Sequence, residues 1–198
     1  LATVLGFIVG TALAYMRISA FRPGRFLAIA YIEIIRNTPL LIQAYFLIFG
    51  LASINIDLPI LACATIALVI NVSAYTAEIM RAGIESIHKG QIEAAECLGH
   101  NRAQTFFYVV LAPSMERVYP SLSSQYVLLM LASSILSAVG VDELFGAVAR
   151  IQSLTFRNFE AFLVLGVIYL LLSFLVRYLF VLFGKFIFPR QRKLGTPL

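Results

Sequence analysis

Gln91-Ile92-Glu93-Ala94-Ala95-Glu96-Cys97-Leu98-Gly99-His100-Asn101-Arg102-Ala103-Gln104 is polar enough to lie in water and patterned enough to fold. Its first eight residues favour helix, and Gly99 stands where a helix ends in a left-handed cap. Asn101 precedes Gln104 by three residues, a variant of the capping box that starts a second helix. Phe106, Phe107, Val109 and Val110 supply an apolar body for that second helix. Pro113 is expected to stop it, having no N–H to donate. The loop from Ile84 to Tyr119 therefore reads as two short helices meeting at a glycine. Ala94 and Ala95 leave the first of them slender enough to enter a partner's cleft.

Outward from this loop the chain turns apolar in both directions. Of 198 residues, 61% are hydrophobic and 13% are charged, against roughly 45–50% and 25% in soluble domains. One soluble core could not hide so much apolar surface. Five apolar segments can be traced, about one per span of roughly 20 residues: 1–16, 40–56, 60–77, 122–141 and 161–183. The chain reads as a single-domain, all-α integral membrane protein with about five transmembrane helices. Thr38–Pro39, Asp57 to Pro59 and Pro120–Ser121 are read as starts of the second, third and fourth helices. The first segment is short of a full span, so residues before Leu1 are expected. It is not a signal peptide, because no basic region precedes it.

Basic residues set the orientation. Arg17, Arg22, Arg25 and Arg36 follow the first segment; Arg81, Lys89, Arg102 and Arg117 flank or occupy the long loop; Lys185, Arg190, Arg192 and Lys193 lie at the tail. The loop after the second segment holds only Asp57, and Arg150 and Arg157 are balanced by Asp142, Glu143 and Glu160. The positive-inside rule then puts the amino end outside and the tail in the cytoplasm. The net charge of +5 does not form a stripe interleaved with aromatics, which argues against nucleic-acid binding. Nine tyrosines, with no tryptophan, serve as interfacial anchors.

Glu93-Ala94-Ala95, three residues, Gly99 and an apolar stretch ending in proline resemble the "EAA" loop of ABC importer permeases. Ala74-Tyr75-Thr76-Ala77-Glu78-Ile79-Met80-Arg81-Ala82-Gly83-Ile84, Arg36-Asn37-Thr38-Pro39-Leu40-Leu41 and Thr155-Phe156-Arg157-Asn158-Phe159-Glu160 look like the polar amino-acid branch of that family. The resemblance covers nearly the whole chain. It departs once, where Leu111-Ala112-Pro113 carries an inserted alanine. The resemblance implies a type I ABC importer permease fold, with Glu93, Ala94, Ala95 and Gly99 coupling the chain to a separate ATPase subunit that binds ATP-Mg. It further implies an ATPase dimer, a second permease subunit, identical or not, and a periplasmic or surface solute-binding protein. The cargo implied is a small polar amino acid, and the location is the bacterial cytoplasmic membrane.

No GxxxxGK[ST] loop is present, since Gly184-Lys185 lacks the upstream glycine and the Ser or Thr. Neither His88 nor His100, both in the loop, sits in a catalytic arrangement, and no enzymatic activity is expected of this chain. Cys63 and Cys97 fall at opposite membrane faces and cannot pair. No cofactor or metal is expected.

Intramembrane polar groups are the candidates for a substrate pathway. Asn71 reads either as an interhelical hydrogen-bonding group or as a pathway group, and Tyr75 lies one turn on. Tyr126, Met130, Ser133, Ser137 and Gly140 form one stripe suited to helix packing, with Ser134 on the neighbouring face. The family resemblance implies that Glu143 reaches toward the pathway to meet an amino or guanidinium group; the alternative is two solvated carboxylates, Asp142 and Glu143, near Arg150. Acidity here points to a cationic amino acid or an opine-like compound. Glu78, Arg81 and Glu85 read as a helical ion-pair ladder, Gly6 and Gly10 as a GxxxG packing pair, and Arg177 as a snorkelling or paired cation. The competing functions are a secondary transporter or channel without an ATPase, which would need ion-coupling residues or broken helices at mid-membrane, and a membrane scaffold.

Overall fold

The computed structural model describes residues 1–188; the basic residues Arg190, Arg192 and Lys193 lie outside them. Most of the described residues are helical, with no strand among them. In chain order they are α1 (Ala2–Ile18), α2 (Arg22–Arg36), α3 (Leu40–Ser53), α4 (Ile60–Glu85), α5 (Lys89–Cys97), α6 (Arg102–Val139), α7 (Leu144–Thr155) and α8 (Asn158–Ile187). Three of them, α4, α6 and α8, are long and apolar enough to cross a membrane unaided. The pair α2 and α3 passes the same test together but is bent by 107°. With the apolar 17-residue α1, each of the five apolar segments finds its helix.

Packing starts at glycines. A Cβ on Gly6 would stand 2.2 Å from Val72 Cγ1, and one on Gly10 would stand 2.7 Å from the Ser73 carbonyl oxygen. These are distances only hydrogen permits, so α1 and α4 run backbone to backbone in parallel, with Ala14 continuing the seam. The core that follows joins Val72, Met80 and Ile84 of α4 to Val118, Leu122 and Leu129 of α6.

Several expected boundaries fall elsewhere. Pro113 does not stop a helix: it sits in the first turn after a π-helical stretch, Thr105–Leu111, inside the continuous 38-residue α6. Widening the turn before Pro113 relieves the crowding of its ring against the preceding carbonyls, so the helix passes through. Pro120 lies inside α6 and does not begin it. The Thr38 hydroxyl caps nothing ahead; it donates backward to the Ile34 carbonyl oxygen at 2.7 Å, and Pro39 heads α3 without a side-chain cap. Pro59 likewise heads α4 with no side-chain cap, so Asp57 does not act there.

The predicted stripe on α6 also breaks. From Ser133 to Val139 the helix tightens to 3-10, so positions three apart align, and Leu136 and Val139 turn inward in place of Ser137 and Gly140. Ser133, Ser134 and Ser137 donate to carbonyls three residues back, and Gly140 closes the turn at φ +86°. Beyond it, α7 occupies a stretch read from sequence as loop.

Candidate functional site

The loop helix α5 ends as its sequence dictates. Gly99 takes φ +83°, Gly99 N–H donates to the Glu96 carbonyl and His100 N–H to that of Ala95. Two reversed bonds of this kind satisfy carbonyls a helix end leaves orphaned. Asn101 and Gln104 then exchange reciprocal bonds of 2.9 Å each to start α6. Ile92 and Phe106 pack against the α4–α6 core, anchoring the loop inward.

Glu93, Ala94 and Gly99 face solvent, and Leu98 is 79% exposed. Ala95 is not on that surface: it is only 4% exposed, and its small size serves to bring α5 against the chain, not to slim an outer face. Beside it, α4 and α6 are tied to each other. Arg117 donates to the Ser86 carbonyl at 2.6 Å and to its hydroxyl at 2.9 Å. Ser114 Oγ reaches the Gly83 carbonyl at 3.2 Å, and a Cβ at Gly83 would press Val118 Cγ1 at 2.4 Å. These bonds join α4 to α6, which continues from α5 and runs for about 55 Å.

On the other face of α4 lies an open cleft of about 510 Å³, lined by Asn71 and Tyr75 together with Arg36 and Thr38 from the α2–α3 bend and Gln125 and Leu129 from α6. Asn71 Nδ2 donates to Gln43 Oε1 at 3.2 Å, the interhelical bond that is one of its two readings, and Asn71 also lines the cleft. Gln43, itself buried, donates from Nε2 to the carbonyls of Ile35 and Thr38 at 2.9 Å each. Those carbonyls are freed by the bend, and Gln43 satisfies them where water is scarce. Its signal in sequence is the one that singled out Asn71: a polar side chain in an apolar run.

Arg36 adds charge to the cleft. Its guanidinium sits 5.6 Å from the Tyr75 ring centroid and 3.7 Å from Glu78. Glu78 also pairs with Arg17 of α1 and, at 2.9 Å, with Arg81, while Arg81 reaches Glu85 at 2.5 Å. The expected ladder is thus half of a network that ties α1, α2 and α4 together. Spacing along one helix could not reveal its other half.

Ser134 and Glu143 do not join this cleft. Ser134 Oγ donates to the Leu131 carbonyl at 2.7 Å. Glu143 caps α7, accepting from Gly146 N–H at 2.8 Å and Phe145 N–H at 3.0 Å, and accepts from the Tyr169 hydroxyl at 3.1 Å. Its carboxylate is engaged by its own chain as a helix cap. Asp142 pairs with Arg150. Arg177 is exposed on α8. Among the described residues no group of three His, Cys, Asp or Glu could hold a metal; Cys63 is buried and Cys97 exposed.

Comparison with known proteins points the same way as this geometry. The octopine transport system permease protein of Rhizobium radiobacter is 35% identical over 204 residues, covering 96% of this chain and 82% of that protein. A probable glutamine ABC transporter permease protein of Bacillus subtilis is 37% identical over 167 residues, covering 84% and 77%. Among solved structures, an amino acid ABC transporter with histidines superposes with TM-score 0.84 at 35% identity, covering 93% of this chain and 86% of that one. A methionine ABC transporter in an inward-facing conformation shares the fold with TM-score 0.76 at 19% identity, covering 94% and 89%. The family profile described as "Binding-protein-dependent transport system inner membrane component" matches residues 2–189, and this chain belongs to that family, the membrane permease subunits of ABC importers.

Proposed function

We propose that this chain forms half of the path by which a small polar amino acid, or an opine-like derivative of one, enters the bacterial cytoplasm. The observation that carries the reading is the capped loop helix α5, which offers Glu93, Ala94 and Gly99 outward while Ile92 and Ala95 pack inward, below α4 and α6 that are bonded to each other. A surface peg seated on bonded spans is what a nucleotide-driven partner needs in order to move them. The ATP-Mg chemistry resides in that partner, a dimeric ATPase; this chain supplies no phosphate-binding loop and acts as no enzyme. A second permease subunit completes the cleft, and a solute-binding protein delivers cargo from outside. The amino end faces outward and the tail inward, in the cytoplasmic membrane.

The substrate reading follows from the cleft. Asn71, Tyr75, Arg36 and Gln125 offer donors, acceptors and one cation to a solute with amino and carboxylate ends. Relatives of the chain carry octopine and glutamine by name, which supports the polar amino-acid class. Ser134 and Glu143 enter only as supports of the outer end of the path.

The test is uptake in proteoliposomes holding the permease with its ATPase and receptor. Glu93→Lys and Gly99→Asp are each expected to lower ATP-driven uptake on the order of ten-fold or more, the effect of about 1.4 kcal/mol of lost docking, with membrane insertion unchanged. Ala94→Cys, in a Cys97→Ser background, should crosslink to the ATPase under turnover. Uptake that survives both charge variants, or that proceeds without ATP, rejects the reading.

A further inference from the structure

Helix α2 has three faces. Gly24, Ala28 and Ile32, four apart, are buried against the chain. Leu27 and Ile34, seven apart on a second side, are each 63% exposed, and Phe26, 71% exposed, lies between that side and Arg22. Arg22 and Arg25, on a third, are exposed and form no ion pair among the described residues. A helix crossing the bilayer could bear the first two faces but not the third, because unpaired cations on its lipid side are costly.

Its placement explains the third. Gln43 of α3 meets Asn71 of α4, and Leu47 and Ile48 pack with Ala64 and Ala67, so α3 runs antiparallel to α4 and crosses with it. The bend of 107° then lays α2 nearly perpendicular to that crossing direction. Arg36, at its end, sits level with the Glu78 network, and Arg17 of α1 joins the same network. This is the α4 end that leads into α5, so α2 lies along the membrane surface on the coupling-loop side.

We propose that α2 is an interfacial helix whose Arg22 and Arg25 bind the phosphates of anionic phospholipids in that leaflet, while Phe26, Leu27 and Ile34 enter the acyl region beneath the headgroups. Charge complementarity selects the occupant: two free guanidiniums beside an apolar wedge match an anionic lipid, whose phosphate and chains lie at those two levels. A zwitterionic lipid offers no net charge to them. The inference rests on the membrane family of the chain and needs nothing of ATPase docking, so it stands or falls apart from the proposal above.

The absence of tryptophan makes the test direct. The full chain carrying Phe26→Trp, reconstituted into vesicles of phosphatidylcholine and phosphatidylglycerol, has a single indole whose quenching by brominated lipids reports depth and neighbours. Bromines near the headgroup end of the acyl chains should quench it more than bromines near the bilayer centre. Brominated phosphatidylglycerol should outcompete brominated phosphatidylcholine by about five-fold per arginine, the ratio given by roughly 1 kcal/mol each. Adding Arg22→Gln and Arg25→Gln should abolish that preference and leave depth unchanged. Phe174→Trp on α8, whose native ring is 60% exposed, serves as the folded control and should show no headgroup preference. Strongest quenching from the bilayer centre, no quenching at all because a second copy covers the face, or a preference that survives both substitutions would each overturn the proposal. Should the double variant not fold, Arg22→Gln alone is expected to remove about half of the preference on a logarithmic scale.

Discussion

Helices α4 and α8 are both long and apolar enough to cross a bilayer, yet nearly half of the crossing stretch of α4 is buried in the chain and almost none of α8 is. Most buried positions of α4 are small or slightly polar (Cys63, Ala64, Ala67, Ser73, Ala74, Thr76, Ala77 and Gly83), with Val72, Met80 and Ile84 as the larger exceptions that meet α6. Those that α8 exposes are large, among them Leu163, Leu170, Leu171, Phe174 and Leu175. Lipid tails are as apolar as leucine, so no hydrophobic force sorts one helix inward. Close backbone approach and polar pairing do, and both require small or polar side chains. Apolarity places a helix in the membrane; side-chain size decides whether protein or lipid surrounds it.

The contrast can be broken most severely at Glu78. Glu78→Gln leaves Arg17 and Arg36 facing no carboxylate, and Arg81 only Glu85, at a site where the glutamate side chain is 17% exposed, and should cost about 3 kcal/mol in denaturant unfolding in detergent. A neutral result would mean that water, not Glu78, satisfies those arginines. Next comes Gly10→Leu, which drives a side chain into the Ser73 backbone of α4. A loss of about 2 kcal/mol is expected, and tolerance would show that the α1–α4 seam can part.

Gly184→Leu tests the tightest glycine contact of α8. A Cβ there would meet Tyr119 Cε1 at 2.5 Å, but that atom is the far end of a side chain and can swing away, so about 1 kcal/mol is expected. The smallest effect belongs to Gly166→Leu, where nothing lies within 4 Å. Unfolding should shift by no more than about 0.5 kcal/mol. A larger loss at Gly166 would sharpen the comparison by revealing a second protein surface on α8.

Legibility in the sequence followed the range of the forces involved. The Gly99 cap and the Asn101–Gln104 box were readable because both partners lie within a few residues. Gly6 and Gly10 were readable because a helix repeats its faces. Pro113 and Pro120 misled because proline marks a helix end only when the neighbouring turns cannot adjust, and a π stretch adjusts them. The capping role of Glu143 went unread because α7 itself was not seen in the sequence; a carboxylate two and three residues before free N–H groups accepts from them. Ala95 lay in the right motif but on the inner face, which only the packing of α5 could settle.

By itself the sequence determined that the chain lives in a membrane, how many apolar segments it threads there, and where its polar loop breaks into two helices. Composition, helical period and capping are local properties, written within a few turns of chain. Only the tertiary structure decided that Arg36 and Arg17 share Glu78, that Gln43 closes the bend beside Asn71, and that α2 turns across the direction of α3. Those partners lie tens of residues apart, and nothing short of the packed helices brings their charges and hydrogen bonds within reach.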